Sequence, residues 1–157
     1  MRALVQRVLS AEVAVEKKVV SHIDGGMLVF LGFHREDSEA TLPWLVDKLI
    51  NLRLFEDEAG KMNLDVSEAS KSVLIVSQFT LYGNCQKGRR PSFMASMPSQ
   101  KAELLYTQCI ALFKDKLGAS RVKTGIFGAD MAVSLINDGP VTFLVEDTKK
   151  EGCEKKS

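Results

Sequence analysis

Histidine is nearly missing from this 157-residue chain, with only His22 and His34, each at the end of an apolar run. A Ser-His-Asp triad or a multi-histidine metal site has almost no material to be built from. Cysteine is scarce as well. Cys85, Cys109 and Cys153 are odd in number and widely separated, which fits a reducing compartment and neither a disulfide framework nor a zinc site. An excess of one charge is also absent, because 21 Lys and Arg face 20 Asp and Glu for a formal net charge of +1. Any contact with RNA must then come from a local patch. No apolar run approaches the roughly 20 residues that span a bilayer, and the opening residues lack the apolar core of a signal peptide. No P-loop, dinucleotide-binding or Cys-x-x-Cys fingerprint occurs, and no repeat is visible. The expectation is a cytoplasmic protein with no cofactor, no metal and no membrane contact.

What is there reads as one soluble domain. The composition, 45% hydrophobic and 26% charged, supports a single sizeable core. Residues 1–147 form the expected domain, and residues 148–157, charged and without an aliphatic or aromatic anchor, the expected disordered tail. Period-two alternation predicts a strand from Arg2 to Ser10 and another from Glu12 to Glu16, with Val19 to Ile23 pairing back after Lys17-Lys18. Asp24-Gly25-Gly26 then turns the chain into the continuous apolar run Met27 to Phe33, a buried strand. Leu42, Leu45, Val46, Leu49 and Leu52 share one helical face, with Ser38 or Thr41 as cap and Pro43 in the first turn. Arg53 to Glu56 reads as a short strand, and Val73 to Leu81 as a central one. Ser99 is placed to cap a second helix, Gln100 to Leu117, with Ala102, Leu105, Tyr106, Cys109, Leu112 and Phe113 on its buried stripe and Gly118 as its stop. The order implies a mixed α/β fold with helices on one side of sheet layers.

Four stretches carry candidate chemistry. The strand from Val73 turns abruptly polar at Ser77 and Gln78, and polar groups at the end of a buried strand often face a site; they are equally ordinary strand formers bonded to neighbouring backbone. Gln86 to Phe93 holds Lys87, Arg89 and Arg90 with glycine and proline, a basic loop that is either solvated surface or a phosphate contact. Phe127, between Gly125 and Gly128, is able to present its ring to a base. Asn137-Asp138-Gly139-Pro140 interrupts two β-like runs, and since proline has no N–H for a ladder the break is a turn or a displayed rim, not central strand. Arg7, amid apolar neighbours, is either an edge arginine with a solvated head or a donor holding a backbone carbonyl.

Taken in order, Ser77 to Leu81, Gly88 to Phe93, Thr124 to Met131 and Asn137 to Thr142 resemble the D-aminoacyl-tRNA deacylase family, as do Met1 to Val8 and Asn51 to Asp57. The likeness runs from Met1 to about Glu146. It implies a three-layer β/β/α homodimer with mixed sheets and two main helices that hydrolyses D-aminoacyl-tRNA and glycyl-tRNA. It also implies that Gly139 and Pro140, joined by a cis bond, act as a chirality filter in the partner's site, and that Ser77, Gln78, Phe79 and Thr80 line the scissile ester. By the same resemblance Arg7 braces the Gly-Pro loop, supported by Asn137 and Thr142, Phe127 meets the terminal adenosine, and Lys87, Arg89 and Arg90 meet the tRNA. The implied chemistry is attack by water assisted by the ribose 2′-hydroxyl, with backbone N–H groups holding the oxyanion. Two alternatives stay open: Thr80 as a covalent nucleophile, and a nucleic-acid-binding module without catalysis.

Overall fold

The computed structural model describes residues 1–147, so the expected tail and Cys153 lie outside the described residues. Its spine is β1 (Arg2–Val15), a single strand where the alternation predicts two. The reason is a one-residue bulge. Val8 stands opposite Asn137 and Ser10 opposite Ile136, which leaves Leu9 extra and exposed. An extra residue reverses strand parity, so buried positions pass from Val8 to Ala11 and Val13 without a break in the strand.

Along one side of β1 lies β8 (Met131–Glu146), antiparallel over nearly its full length. The other side is shared: β3 (Gly26–Gly32) pairs with the first half of β1, and β2 (Lys18–Ile23) with the second half. The sheet continues from β3 to β6 (Ser72–Ser77) and β7 (Val122–Thr124), both parallel pairings. A small second sheet pairs β4 (Phe55–Glu56) with β5 (Met62–Leu64). The predicted strand through Leu81 therefore stops at Ser77, and a 3₁₀ turn, Phe79–Tyr82, follows. β7 went unpredicted, and the two β-like runs on either side of Asn137-Asp138-Gly139-Pro140 prove to be one strand, β8.

The continuous apolar character of β3 follows from burial on both faces. Met27, Val29 and Leu31 join Val5, Val73 and Ile75 in a core beneath the helices, while Leu28 joins Leu74, Val76, Val8, Ala11, Val13 and Ile23 in a second core. The second half of β1 and the first part of β8, with β2, roof that second core, so two β layers and one helical layer result. This is the β/β/α, α/β architecture expected, with mixed pairing and two main helices.

α1 (Leu42–Ile50) buries Leu42, Leu45, Val46, Leu49 and Ile50, with Pro43 in its first turn. Leu52 lies beyond its end, and neither Ser38 nor Thr41 makes a side-chain cap bond. α2 (Ser99–Leu117) begins at Ser99 with Pro98 in the cap position, so the predicted serine cap is not formed. Its buried stripe takes Ile110 where Leu112 was expected, Leu112 being only partly covered. Gly118, at φ 84°, ends it.

Candidate active site

Parallel strands leave a crevice at their carboxyl ends, because the chain departs there toward the covering layer. β3 and β6 end side by side at Leu31 and Ser77, and a cavity of about 500 Å³ opens there, lined by Ser77, Gln78 and Phe79 from one side and by Phe127 to Met131, Val133 and the start of α2 from the other. The crossing of Gln78 over the end of β3 depends on Gly32. A Cβ at Gly32 would stand 2.8 Å from the Gln78 carbonyl oxygen, while the Gln78 N–H donates to Leu31 O at 2.8 Å. Met97 also lines this cavity. Neither Gly32 nor Met97 was picked out from the sequence; the continuous apolar run hides the glycine, and Met97 lies in a segment without periodicity.

Phe79 and Thr80 open the 3₁₀ turn Phe79–Tyr82. The first N–H groups of such a turn lack a preceding carbonyl three residues back, so they are donors in search of an acceptor. Gln78 Nε2 donates to the Thr80 hydroxyl oxygen. Phe127 is half-buried: its ring centroid lies 5.6 Å from that of Tyr106, and Tyr106, part of the core, donates its hydroxyl to Ile75 O at 2.8 Å. Burial raises the Tyr106 phenol above its usual range, so it remains a neutral donor. The cavity thus has one wall of polar chain at the end of β6 and another of an aromatic ring with a fixed backing.

The histidines stay out of it. His34 packs its ring 5.3 Å from Tyr82, and His22 pairs with Asp24 at the surface. Among the described residues no three His, Cys, Asp or Glu side chains are grouped so as to hold a metal ion, and no helix is long and apolar enough to cross a membrane. Lys87, Arg89 and Arg90 are all exposed in the loop whose base is closed by paired backbone bonds between Asn84 and Ser92, at 2.8 and 2.9 Å.

Gly139 and Pro140 are not at this cavity. The break they make is not a hairpin turn, because β8 pairs antiparallel with β1 on both sides of it. Asn137 stands opposite Val8 and Thr142 opposite Gln6, so Asp138 to Val141 bulge out against Arg7 alone. An edge strand tolerates proline there, its open side needing no ladder bond. Gly139 and Pro140 are exposed, and the bond between them is cis. Arg7, 6% exposed, is no solvated edge residue. Its Nε donates to Asp138 O at 3.2 Å and lies 2.9 Å from the Asp138 carboxylate, its Nη1 donates to Leu54 O at 2.7 Å, and Nη2 stands 3.6 Å from Glu56. Thr142 accepts from Gln6 Nε2 at 3.2 Å. Arg7 pairs with Met27 at the start of β3, whereas Ser77 pairs with Leu31 near its end. The bulge and the cavity of one chain are therefore roughly 13 Å apart along the strand direction.

Comparison with known proteins adds names to this geometry. Residues 4–146 match the family model described as D-Tyr-tRNA(Tyr) deacylase. The chain is 55% identical over 146 residues to the D-aminoacyl-tRNA deacylase of Myxococcus xanthus, covering 93% of this chain and 94% of that protein. It is 50% identical over 149 residues to the protein of the same name from Thermotoga petrophila, covering 95% and 99%. Among solved structures, one titled c-Myc DNA Unwinding Element Binding Protein superposes with a TM-score of 0.89 at 40% identity, covering 94% of this chain and 99% of that one. A probable eukaryotic D-amino acid tRNA deacylase shares the fold, with a TM-score of 0.82 at 20% identity over 92% of this chain and 97% of that one.

Proposed function

The chain belongs to the D-Tyr-tRNA(Tyr) deacylase family, and we propose that it hydrolyses the ester joining a D-amino acid to the terminal adenosine of tRNA. The observation that carries this reading is the cavity in which Ser77, Gln78 and Phe79 face Phe127, in a chain 50% and 55% identical to proteins named for that activity. Residues 1–147 act as the deacylase domain, working in the cytoplasm where aminoacyl-tRNA is made.

An aminoacyl ester is already activated, so no strong nucleophile is required. Water adds to the ester carbonyl carbon, the bond to the ribose oxygen breaks, and the proton lost by water ends on that departing oxygen, relayed by the neighbouring 2′-hydroxyl. The N–H groups of Phe79 and Thr80 hold the oxyanion, each such donor contributing roughly 2.7–4 kcal/mol in comparable sites. Phe127 takes the adenine, Lys87, Arg89 and Arg90 the phosphates. No step is routed through a metal.

Selectivity rests on a second copy. Gly139 and Pro140 are displaced from the cavity of their own chain, and β8, which pairs with β1 alone among the described strands, exposes Ile136, Phe143 and Leu144 along that edge. A homodimer formed there brings the bulge of one chain to the cavity of the other. Gly139 and Pro140 then crowd the side of Cα that an L-side chain occupies, while Arg7, Asn137 and Thr142 hold the bulge. Glycine, having no side chain, passes as substrate. The test is hydrolysis of D-tyrosyl-, L-tyrosyl- and glycyl-tRNA by the purified protein, with and without chelator. Turnover of the D and glycyl esters, sparing of the L ester and no effect of chelator are expected; equal turnover of D and L overturns the filter.

A second reading is a nucleic-acid-binding role without catalysis, favoured by the name of the 40% identical solved structure. Tight binding of DNA together with no hydrolysis of any aminoacyl-tRNA would establish it instead.

A further inference from the structure

Beside the mouth of the cavity the surface is apolar where a soluble protein would ordinarily be polar. Phe79 is 58% exposed, Phe93 40% and Met94 77%, and the two rings meet edge to face with centroids 5.1 Å apart. The arrangement is built. Ser96 Oγ donates to Phe79 O at 3.1 Å, the Ser96 N–H donates to Phe93 O at 3.0 Å and the Met97 N–H to Phe33 O at 3.0 Å. Gly83 makes room for the ring, since a Cβ there would stand 3.0 Å from Phe93 Cε1. The bridge between Asn84 and Ser92 places the loop of Lys87, Arg89 and Arg90 immediately before Phe93. Among the described residues none of these three cations lies within ion-pair distance of a carboxylate. Exposed aromatic faces beside unneutralised cations match single-stranded nucleic acid, which offers flat bases and phosphates in alternation. Phe79 belongs both to this patch and to the cavity wall, so a strand whose last base enters the cavity continues onto the patch.

We propose that Phe93 and Met94, with Phe79, form a stacking platform for the unpaired nucleotides preceding the acylated adenosine, with Lys87, Arg89 and Arg90 on their phosphates. This rests on the deacylase reading and specifies how the RNA is held. The first measurement is binding of a fluorescent oligonucleotide ending in CCA to the full chain by anisotropy. Phe93→Leu, which keeps apolar bulk without a ring, weakens binding roughly five- to 150-fold, and Phe93→Trp keeps it. Replacing Lys87, Arg89 and Arg90 together by alanine lowers the slope of log affinity against log salt by about 2. The second measurement is the ratio of kcat/KM for D-tyrosyl-tRNA to that for D-tyrosyl-adenosine, which falls in Phe93→Leu and returns in Phe93→Trp. If the wild type binds the oligonucleotide through Phe93 yet hydrolyses neither ester, the platform stands and the deacylase reading falls. Equal binding by wild type and Phe93→Leu overturns the platform, as does a change in sedimentation mass of that variant, which would make the patch an interface between copies.

Discussion

The side-chain amide of Asn137 donates to Arg7 O at 2.9 Å and to Val141 O at 3.1 Å, while Arg7 Nε donates back to Asp138 O at 3.2 Å. One residue thus ties both ends of the bulge to each other and to β1, and the side chain of Arg7 holds Asp138, the first residue of the bulge. Asn137→Ala removes both donors from an exposed site, at a cost of about 1–2 kcal/mol for two neutral hydrogen bonds. Urea unfolding measures that loss. Because the bulge stays attached at Asp138 through Arg7 while its far end is released, the larger effect is expected on the D-to-L ratio of tyrosyl-tRNA hydrolysis, which falls.

Gly139 lies against the same amide. A Cβ at this position would stand 2.8 Å from Asn137 Oδ1, closer than real Cβ contacts come, so Gly139→Ala pushes the amide off Arg7 and Val141. Its stability loss should match that of Asn137→Ala, and the double variant should cost scarcely more than either, because both remove the same two hydrogen bonds. A fully additive double variant would show the two residues to act separately.

Thr80 offers a hydroxyl close to the cavity, but its neighbour in hydrogen-bond contact is the Gln78 amide nitrogen, a donor that cannot take its proton. Thr80→Val is therefore expected to retain D-aminoacyl-tRNA hydrolysis within about tenfold. Deleting a true nucleophile costs on the order of 10⁶ in kcat in a serine protease. A loss of that scale would assign the covalent role to Thr80.

Much of the fold was legible because its elements are long and strongly patterned. β3, the apolar half of β6 and α2 with its Gly118 stop each announce themselves within a dozen residues. The bulge at Leu9 was not, since reversed parity in one strand looks like the end of one strand and the start of another. β7 is three residues long with Lys123 exposed, and only pairing with β6, distant in sequence, makes it a strand. The site was half legible. A change from apolar to polar at Ser77 marked the cavity, but nothing local to Asn137–Pro140 distinguishes a hairpin turn from a bulge; that depends on β1 continuing past it. For Arg7 likewise the sequence leaves an edge residue and a donor to a backbone carbonyl open, until β3 and β8 are seen to cover β1 on both sides.

Tyr106 supports the backing of Phe127 through its hydroxyl bond to Ile75 O at 2.8 Å. Tyr106→Phe loses this buried bond, yet the carbonyl is not orphaned, because the Gly125 N–H also donates to it at 3.1 Å. The cost is then the ordinary net value of about 1 kcal/mol, not the larger penalty of an unsatisfied buried acceptor. A fall in Tm of roughly 2–4 °C is expected for a chain of this size. A change in the KM for a D-tyrosyl-adenosine ester beyond twofold would mean that the phenol also fixes the position of Phe127.

Cys109 lies wholly buried on α2, and burial pushes its thiol from the ordinary 9.0 up to about 12. Above pH 9 the unfolded chain releases this proton while the folded chain keeps it, so the unfolded state binds fewer protons and stability falls as pH rises. The contribution is complete below pH 9 and disappears by about pH 12. Tyr82 and Tyr106, also raised by burial, act in the same direction from about pH 10, the ordinary tyrosine value. Cys109→Ala separates these contributions, because alanine has no proton to lose. The variant starts less stable at pH 7 through the small void left by sulfur, but between pH 9 and 10 its unfolding free energy should decline less steeply than that of the wild type. The difference approaches about 1.4 kcal/mol per pH unit once the unfolded thiol is ionised. Urea unfolding at pH 7, 9 and 10 reads it directly: converging curves are expected, and curves that stay parallel would show that the thiol ionises equally in both states.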